Sequence, residues 1–492
     1  MASEAELILV IDAGTTSTRA MVFALDGTMR AMAQRPLTQH YPRGGWVEHD
    51  AEEIWSAALT CARQAAAQVG GADRIAAIGI TNQRETVVAW DRQSGAPLAR
   101  AIVWQDRRTA GVCDALRAAG HEGRVQERTG LLIDPYFSAT KMRWLLDNVP
   151  EVRGAAEAGR LALGTVESWL LYNLTGGAFV SDATNASRTS LLPLTSGQWD
   201  EELCELFGVP LAALPQLGDN AGPLGTALSE WLGAPVPVTG LAGDQQAATI
   251  GQTCFAPGET KATYGTGAFV LANMGAAVPR SAHRLVATVL WQLGGERCYA
   301  LEGSVFVAGS LVQWLRDSLG LIDAAAETET LARSVPDSGG VVVVPALSGL
   351  GAPHWRADAR ASISGLSFAT TRAHLARAAL EAMAMQTRDL AEAFAADGAT
   401  WTTLRVDGGM SANDWMAQDL ADVLALPVER PEFIETTALG AGMLAALGAG
   451  LFASLEEAGR AMSGRRRLFA PAMDQEVRNE RVRNWHRALA NV

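Results

Sequence analysis

Asp12-Ala13-Gly14-Thr15-Thr16-Ser17-Thr18 follows the apolar run Leu7 to Ile11 and leads into Arg19 to Leu25, again mostly apolar. That order predicts strand, tight turn, strand. Gly14 removes the Cβ at the bend, so successive backbone N–H groups and the hydroxyls of Thr15, Thr16 and Ser17 can converge on an anion. Asp12, closing the first strand, is then placed to hold a hydrated metal ion on that anion. A plain Asx-turn with a satisfied carboxylate would use the same residues. A second copy favours the anion reading: Ala262-Thr263-Tyr264-Gly265-Thr266-Gly267-Ala268 also runs into an apolar stretch, Phe269 to Asn273. Two strand–turn–strand units predict a duplicated domain with one anion-binding bend in each half.

At 492 residues the chain exceeds what a single core supports, so two large domains are expected. A formal net charge of −13 argues against nucleic acid or an anionic membrane surface as the main partner. It suits a cytoplasmic enzyme of small molecules. Five widely spaced cysteines with no Cys-x-x-Cys pair read as reduced and buried. The first residues carry Glu4 and Glu6, with no basic residue before Arg19 and too short an apolar run for a secretory leader. Ala438 to Leu455 is free of charge, but Gly440, Gly442, Gly448 and Gly450 punctuate it. A buried, close-packed helix ended by the Gly448–Gly450 pair is expected there, not an integral membrane segment. Lysine occurs only at Lys141 and Lys261, and neither completes a Gly-x-x-x-x-Gly-Lys loop. Nucleotide phosphates would therefore be held by amides, hydroxyls and metal.

Asp50 reads as the N-cap of a helix from Ala51 to Val69. Ile75 to Thr81 is a buried strand running into Asn82-Gln83-Arg84-Glu85, and opposite charges at the carboxyl end of such a strand mark either a ligand site or an ordinary ion pair. Trp104 is either core or the wall of a polar pocket. Asp134 to Phe137 is a loop entering a helix near Ala139 to Asp147, and Ser181 to Thr189 reads as a polar loop. Pro235 to Leu241 is a strand reaching Ala242-Gly243-Asp244-Gln245-Gln246. Asp244 would either cap the following helix or stand at a hinge as a general base. Later come a strand at Ala300 to Val305, a helix from Ala308 to Leu319 whose start could face a phosphate, a strand at Val341 to Pro345 and a helix from Thr371 to Ala395. Leu404 to Asp407 is a strand ending in Gly408-Gly409, followed by Asn413 and another helix.

These residues resemble the glycerol kinases of the carbohydrate-kinase family, whose fold belongs with actin, Hsp70 and hexokinase. The carriers are Asp12 to Ser17, Gly79 to Thr86, Ala101 to Gln105, Ile133 to Ser138, Thr184 to Thr189, Ala242 to Gln246, Tyr264 to Gly267 and Arg405 to Gly409. The resemblance implies an α/β protein of two duplicated RNase H-like (actin-like ATPase) domains around a central cleft. Residues 1–248 would hold the glycerol pocket and first phosphate bend, and residues 249–492 the nucleotide and second bend. It further implies that Arg84, Glu85, Asp244 and Gln245 bind the hydroxyls of glycerol, that Trp104, Tyr136 and Phe269 face its carbons, and that Asp244 is the catalytic base. Thr15, Thr16, Ser17 and Thr266 would cradle the phosphates of ATP, with Arg19 near the transferred group and Asp12 near Mg2+, through water. Gly309, Gln313, Gly409 and Asn413 would line the nucleotide. A homo-oligomer, dimer or tetramer, is implied as well. The chain departs from the family at Asp106, a carboxylate near the substrate tryptophan, and at His354-Trp355-Arg356; either could tune the pocket. Ser229 to Pro237 lacks the loop through which some members bind a sugar bisphosphate.

Overall fold

Six strands form a first sheet in the order Ala221–Ala227, Val236–Gly243, Ile75–Asn82, Leu7–Ala13, Ser17–Ala24, Met29–Pro36. Seven form a second: Val286–Leu293, Glu296–Val305, Ala268–Gly275, Glu259–Tyr264, Thr403–Asp407, Val428–Pro431, Arg466–Phe469. In the first, Leu7–Ala13 pairs antiparallel with Ser17–Ala24 and that strand with Met29–Pro36, while Ile75–Asn82 and then Val236–Gly243 are added in parallel. In the second, Glu259–Tyr264, Ala268–Gly275 and Glu296–Val305 form the antiparallel set, with Thr403–Asp407 and Val428–Pro431 added in parallel. The six strands of the first sheet thus recur in order and direction in the second, which adds Val286–Leu293 at its edge. This computed structural model describes residues 6–356 and 358–492; residues 1–5, where the expected first domain and the reading of Glu4 begin, lie outside the described residues, as does Ala357.

Leu7–Ala13 is buried throughout because helices cover both of its faces. Leu9 and Ile11 pack with Ile54, Ala58, Cys61 and Ala65 of the helix Ala51–Gln68, which Asp50 caps by accepting from Glu52 N at 2.9 Å. Ile8 and Val10 point the other way, onto Ala441, Leu444 and Ala445 of the helix Thr436–Gly448. That helix is the uncharged, glycine-punctuated stretch of the sequence. It crosses from the second half onto the first sheet and against the helix Asp244–Gly251, so the halves share a core at the point where the chain passes between them. All five cysteines are buried and unpaired. Among the described residues no helix is long and apolar enough to cross a membrane.

Ser181 to Thr189 is not a surface loop. Val180–Asp182 is a short strand and Ala183–Ala186 a helical turn, and every residue from Ser181 to Thr189 is buried. Its polar groups are satisfied internally: Asp182 Oδ1 accepts from Thr184 N at 2.8 Å and Asn220 Nδ2 at 2.9 Å, and Asn82 Nδ2 donates to Asn185 Oδ1 at 3.0 Å. A polar layer that meets its own hydrogen-bonding demand can lie inside the fold.

Candidate active site

Three adjacent parallel strands bring the first bend and Asp244 to one edge. The register aligns Asp12 with Thr81 and Ala242, and Ala13 with Asn82 and Gly243, so the bend, Gln83-Arg84-Glu85 and Asp244 all leave the sheet at its carboxyl ends. This is where open α/β sheets bind ligands. Gln83 N donates to Ala13 O at 2.8 Å and Gln83 Nε2 to Gly14 O at 3.1 Å, which fixes one exit against the other. Glu85 follows at a φ of 61°, with Thr86 N donating to Arg84 O at 2.8 Å. This is a γ-turn of the strained, positive-φ kind, held by the surrounding burial.

Arg84 is buried, and its donors can be counted. Nη1 donates to Glu302 Oε2 at 2.6 Å and Gln246 Oε1 at 3.2 Å; Nη2 donates to Glu302 Oε1 at 3.1 Å and Tyr136 Oη at 3.3 Å. Four of a guanidinium's five N–H groups are thus engaged by protein. Nε remains, 3.4 Å from Asp244 Oδ1 and 3.8 Å from Glu85 Oε1. Glu85 lies deeper, accepting from Arg188 Nε at 2.6 Å. Burial pushes the Glu85 carboxyl up, against the pull of Arg84 and Arg188. Asp244 is the first residue of its helix, not its cap, and accepts from Gln245 N at 2.7 Å. Its side chain keeps 32% exposure. Desolvation raises its pKa above the ordinary aspartate value, Arg84 and Lys261 oppose that, and Asp12 adds to it.

Aromatic rings close the same space. Trp104 meets Tyr136 edge-on at 5.7 Å and Phe269 at 6.5 Å, so Phe269, from the second sheet, faces residues of the first half. Trp104 Nε1 donates to Thr15 Oγ1 at 3.0 Å, tying the ring to the first bend. Both lysines of the chain are buried here. Lys141 Nζ donates to the carbonyls of Pro135, Tyr136 and Phe137 at 2.8, 2.6 and 2.9 Å, and Lys261 Nζ donates to Gln245 Oε1 at 2.7 Å.

At the first bend Gly14 N donates to Ser17 O at 3.0 Å, and Ser17 Oγ accepts from Gln34 Nε2 at 2.9 Å; Thr16 is exposed. Arg19 donates to Asp12 Oδ2 at 2.7 Å and Glu435 Oε2 at 2.6 Å, which ties the bend to the second half. Arg19 takes Oδ2 of Asp12, and Asp244 adds like charge on the same edge. Two carboxylates so placed fit a hydrated divalent cation. The second bend, Gly265-Thr266-Gly267, is bound to the helix Gly309–Asp317: Gly309 N donates to Gly265 O at 2.8 Å, and Thr266 O accepts from Ala308 N at 2.9 Å and Ser310 N at 3.1 Å. A Cβ on Gly309 would stand 2.5 Å from Gly265 O, so glycine is required for that approach.

A profile of the FGGY family of carbohydrate kinases, N-terminal domain, matches residues 7–251, and one of the family's C-terminal domain matches residues 260–449. The chain belongs to this carbohydrate-kinase family. Among its relatives, the glycerol kinase of Alcanivorax borkumensis is 56% identical over 488 residues, covering 99% of this chain and 98% of the other. That of Rhodospirillum rubrum is 55% identical over 488 residues, with the same 99% and 98% coverage. The crystal structure of Plasmodium falciparum glycerol kinase with ADP matches with a TM-score of 0.94 at 37% identity, covering 99% of this chain and 98% of that one.

In this carbohydrate kinase, then, Arg84, Glu85, Trp104, Tyr136, Asp244, Gln245 and Phe269 meet at one site, with Asp12, Thr15 and Arg19 along its border. Gln313 and Gly409 are exposed, and Asn413 caps the helix Asp414–Leu424 while donating to Thr328 Oγ1 at 3.2 Å. Asp106 is turned away from the pocket: it accepts from Val47 N at 2.6 Å and Arg108 Nε at 2.9 Å. His354 Nε2 contacts Asp389 Oδ2 at 2.9 Å, outside the substrate cluster. Sequence reasoning missed Glu302, Arg188, Gln246, Lys261 and Glu435 as parts of the site. A lone acidic residue inside the apolar strand Ala300 to Val305 was the one available signal for Glu302.

Proposed function

We propose that this carbohydrate kinase transfers the γ-phosphoryl group of MgATP to a primary hydroxyl of glycerol, giving sn-glycerol 3-phosphate. One observation carries the reading: Arg84 Nε, Asp244 and Gln245 converge on a space walled by Trp104, Tyr136 and Phe269, beside the first bend. Small polar groups aimed inward and rings on the remaining sides suit a three-carbon triol. An apolar pocket gains little from such a molecule, so recognition must come from paired hydroxyls, each unmet buried partner costing about 1 to 3 kcal/mol. The 55% and 56% identity to the two bacterial glycerol kinases supports the same substrate.

Asp244 accepts the proton of the attacking hydroxyl, and Arg84 Nε holds that hydroxyl beside it. Glu85 and Gln245 orient the others. Thr15, Thr16 and Ser17 on one side and Thr266 on the other face the nucleotide's phosphates, with Gly309, Gln313, Gly409 and Asn413 toward its nucleoside end. Asp12 would hold a hydrated Mg2+, which would supply charge neutralisation at the transferred group. Phosphoryl transfer requires mainly alignment and charge neutralisation, and a site built from both halves supplies the alignment. A coupled ADP-release assay across glycerol, dihydroxyacetone, erythritol and xylulose tests the assignment. Glycerol is expected to give the highest kcat/KM; xylulose turned over as efficiently as glycerol would remove it.

A further inference from the structure

Arg84 is held by a carboxylate from the other half of the chain. Glu302, 3% exposed in the strand Glu296–Val305 of the second sheet, chelates both terminal nitrogens of Arg84 and also accepts from Arg188 Nη2 at 3.0 Å. Arg188 in turn gives Nε to Glu85. Two arginines and two glutamates therefore form a closed, buried, charge-neutral square. Arg188 Nη1 is buried without a partner, and Arg84 Nε is the donor left toward the substrate space. Bidentate geometry makes the Arg84–Glu302 pair the strongest in the square. Burial works to raise the Glu302 carboxyl, but the two guanidiniums outweigh it and hold it down at about 2.

We propose that Glu302 is a positioning residue for substrate binding. It locks the Arg84 guanidinium so that Nε–H alone faces the substrate, and it does so from the second sheet, so the pocket is complete only while the halves keep this relative placement. The inference rests on Arg84 being a substrate ligand. Without the charge of Glu302, Arg84 would turn toward its remaining anions, Asp244 at 3.4 Å and Glu85 at 3.8 Å. Its Nε would be withdrawn from the hydroxyl it serves.

Steady-state kinetics of the wild type, Glu302→Gln and Glu302→Asp, with thermal unfolding of each, test this. Glu302→Gln is expected to raise the glycerol KM at least tenfold and leave the ATP KM within twofold. Glu302→Asp should recover part of the loss in KM. A variant that merely unfolds at lower temperature with its glycerol KM within twofold of wild type would overturn the proposal, as would equal rises in both KM values. If Glu302→Gln does not fold, Glu302→Asp must itself show the selective rise in KM, and an unchanged KM there also overturns it. Should the wild type prefer another polyol, the glycerol assignment fails, and the same comparison on that polyol's KM decides the role of Glu302.

Discussion

Arg84 Nε stands 3.4 Å from Asp244 Oδ1, which places the one unspent donor of a buried guanidinium beside the carboxylate at the start of the helix Asp244–Gly251. A hydroxyl bridging the two would be held and deprotonated at the same point. Asp244 acts as a base only when ionised, and burial lifts its pKa above the ordinary 3.8. Hence kcat/KM should fall as the pH drops through a value above 3.8, and be independent of this group at higher pH. Asp244→Asn keeps an acceptor for Gln245 N but loses the proton acceptor. Its kcat is expected to drop by a factor on the order of 100 to 10,000, while calorimetry still detects glycerol binding. A kcat within tenfold of wild type would take Asp244 out of the base role.

Trp104 Nε1 and Thr15 Oγ1, 3.0 Å apart, join the substrate wall to the first bend. Thr15→Val keeps the shape and removes the acceptor, leaving a half-buried indole N–H unmet at a cost of about 1 kcal/mol. The glycerol KM should rise about fivefold, through the ring, even though Thr15 itself lies on the phosphate side. A change confined to the ATP KM would show that this hydrogen bond does not set the position of Trp104.

Local chemistry explains what the sequence disclosed. Both bends were legible because Gly14, Gly265 and Gly267 with their hydroxyl neighbours encode the turn within a few residues, and the strands beside them are short apolar runs. Within the charge-free Ala438 to Leu455, the buried helix that ends at Gly448 was legible for the same reason, although its partner sheet was not. What stayed hidden depends on contacts distant in the chain. Ser181 to Thr189 looks like solvent-facing loop because its polarity is local, whereas its burial comes from Asn82, Glu85, Asn220 and Thr288. Glu302 lies 218 residues from Arg84, and no spacing rule connects them. Glu435, the partner of Arg19, is 416 residues away.

Lys141 is a buried ammonium whose three donors all go to consecutive carbonyls, Pro135, Tyr136 and Phe137. Those contacts hold the loop that presents Tyr136 to Arg84. Lys141→Met fills a similar volume but strands three acceptors, and buried unmet acceptors cost about 1 to 3 kcal/mol each before relaxation. Lower thermal stability and a raised glycerol KM are both expected, the second because Tyr136 is released. Loss of stability with an unchanged KM would mean that Tyr136 is held by its ring contacts with Trp104 and Phe137 instead.

Gly440 marks where the helix Thr436–Gly448 crosses the helix Asp244–Gly251 backbone to backbone. A Cβ there would fall 1.9 Å from Ala247 O and 2.7 Å from Gly251 N, and neither atom belongs to a side chain that could turn aside. Gly440→Ala must therefore separate the helices, at a cost of about 1 to 3 kcal/mol or more. Because Asp244 begins the displaced helix, kcat should fall along with the melting temperature. Gly442→Ala, two residues on, is the matched control: its Cβ would make ordinary contact, 3.4 Å from Val10 Cγ2, and alanine favours the helix by about 1 kcal/mol. Thermal unfolding and glycerol kinetics of the two variants should diverge, with Gly442→Ala close to wild type in both. Equal tolerance at the two positions would show that the halves are not in backbone contact at this crossing.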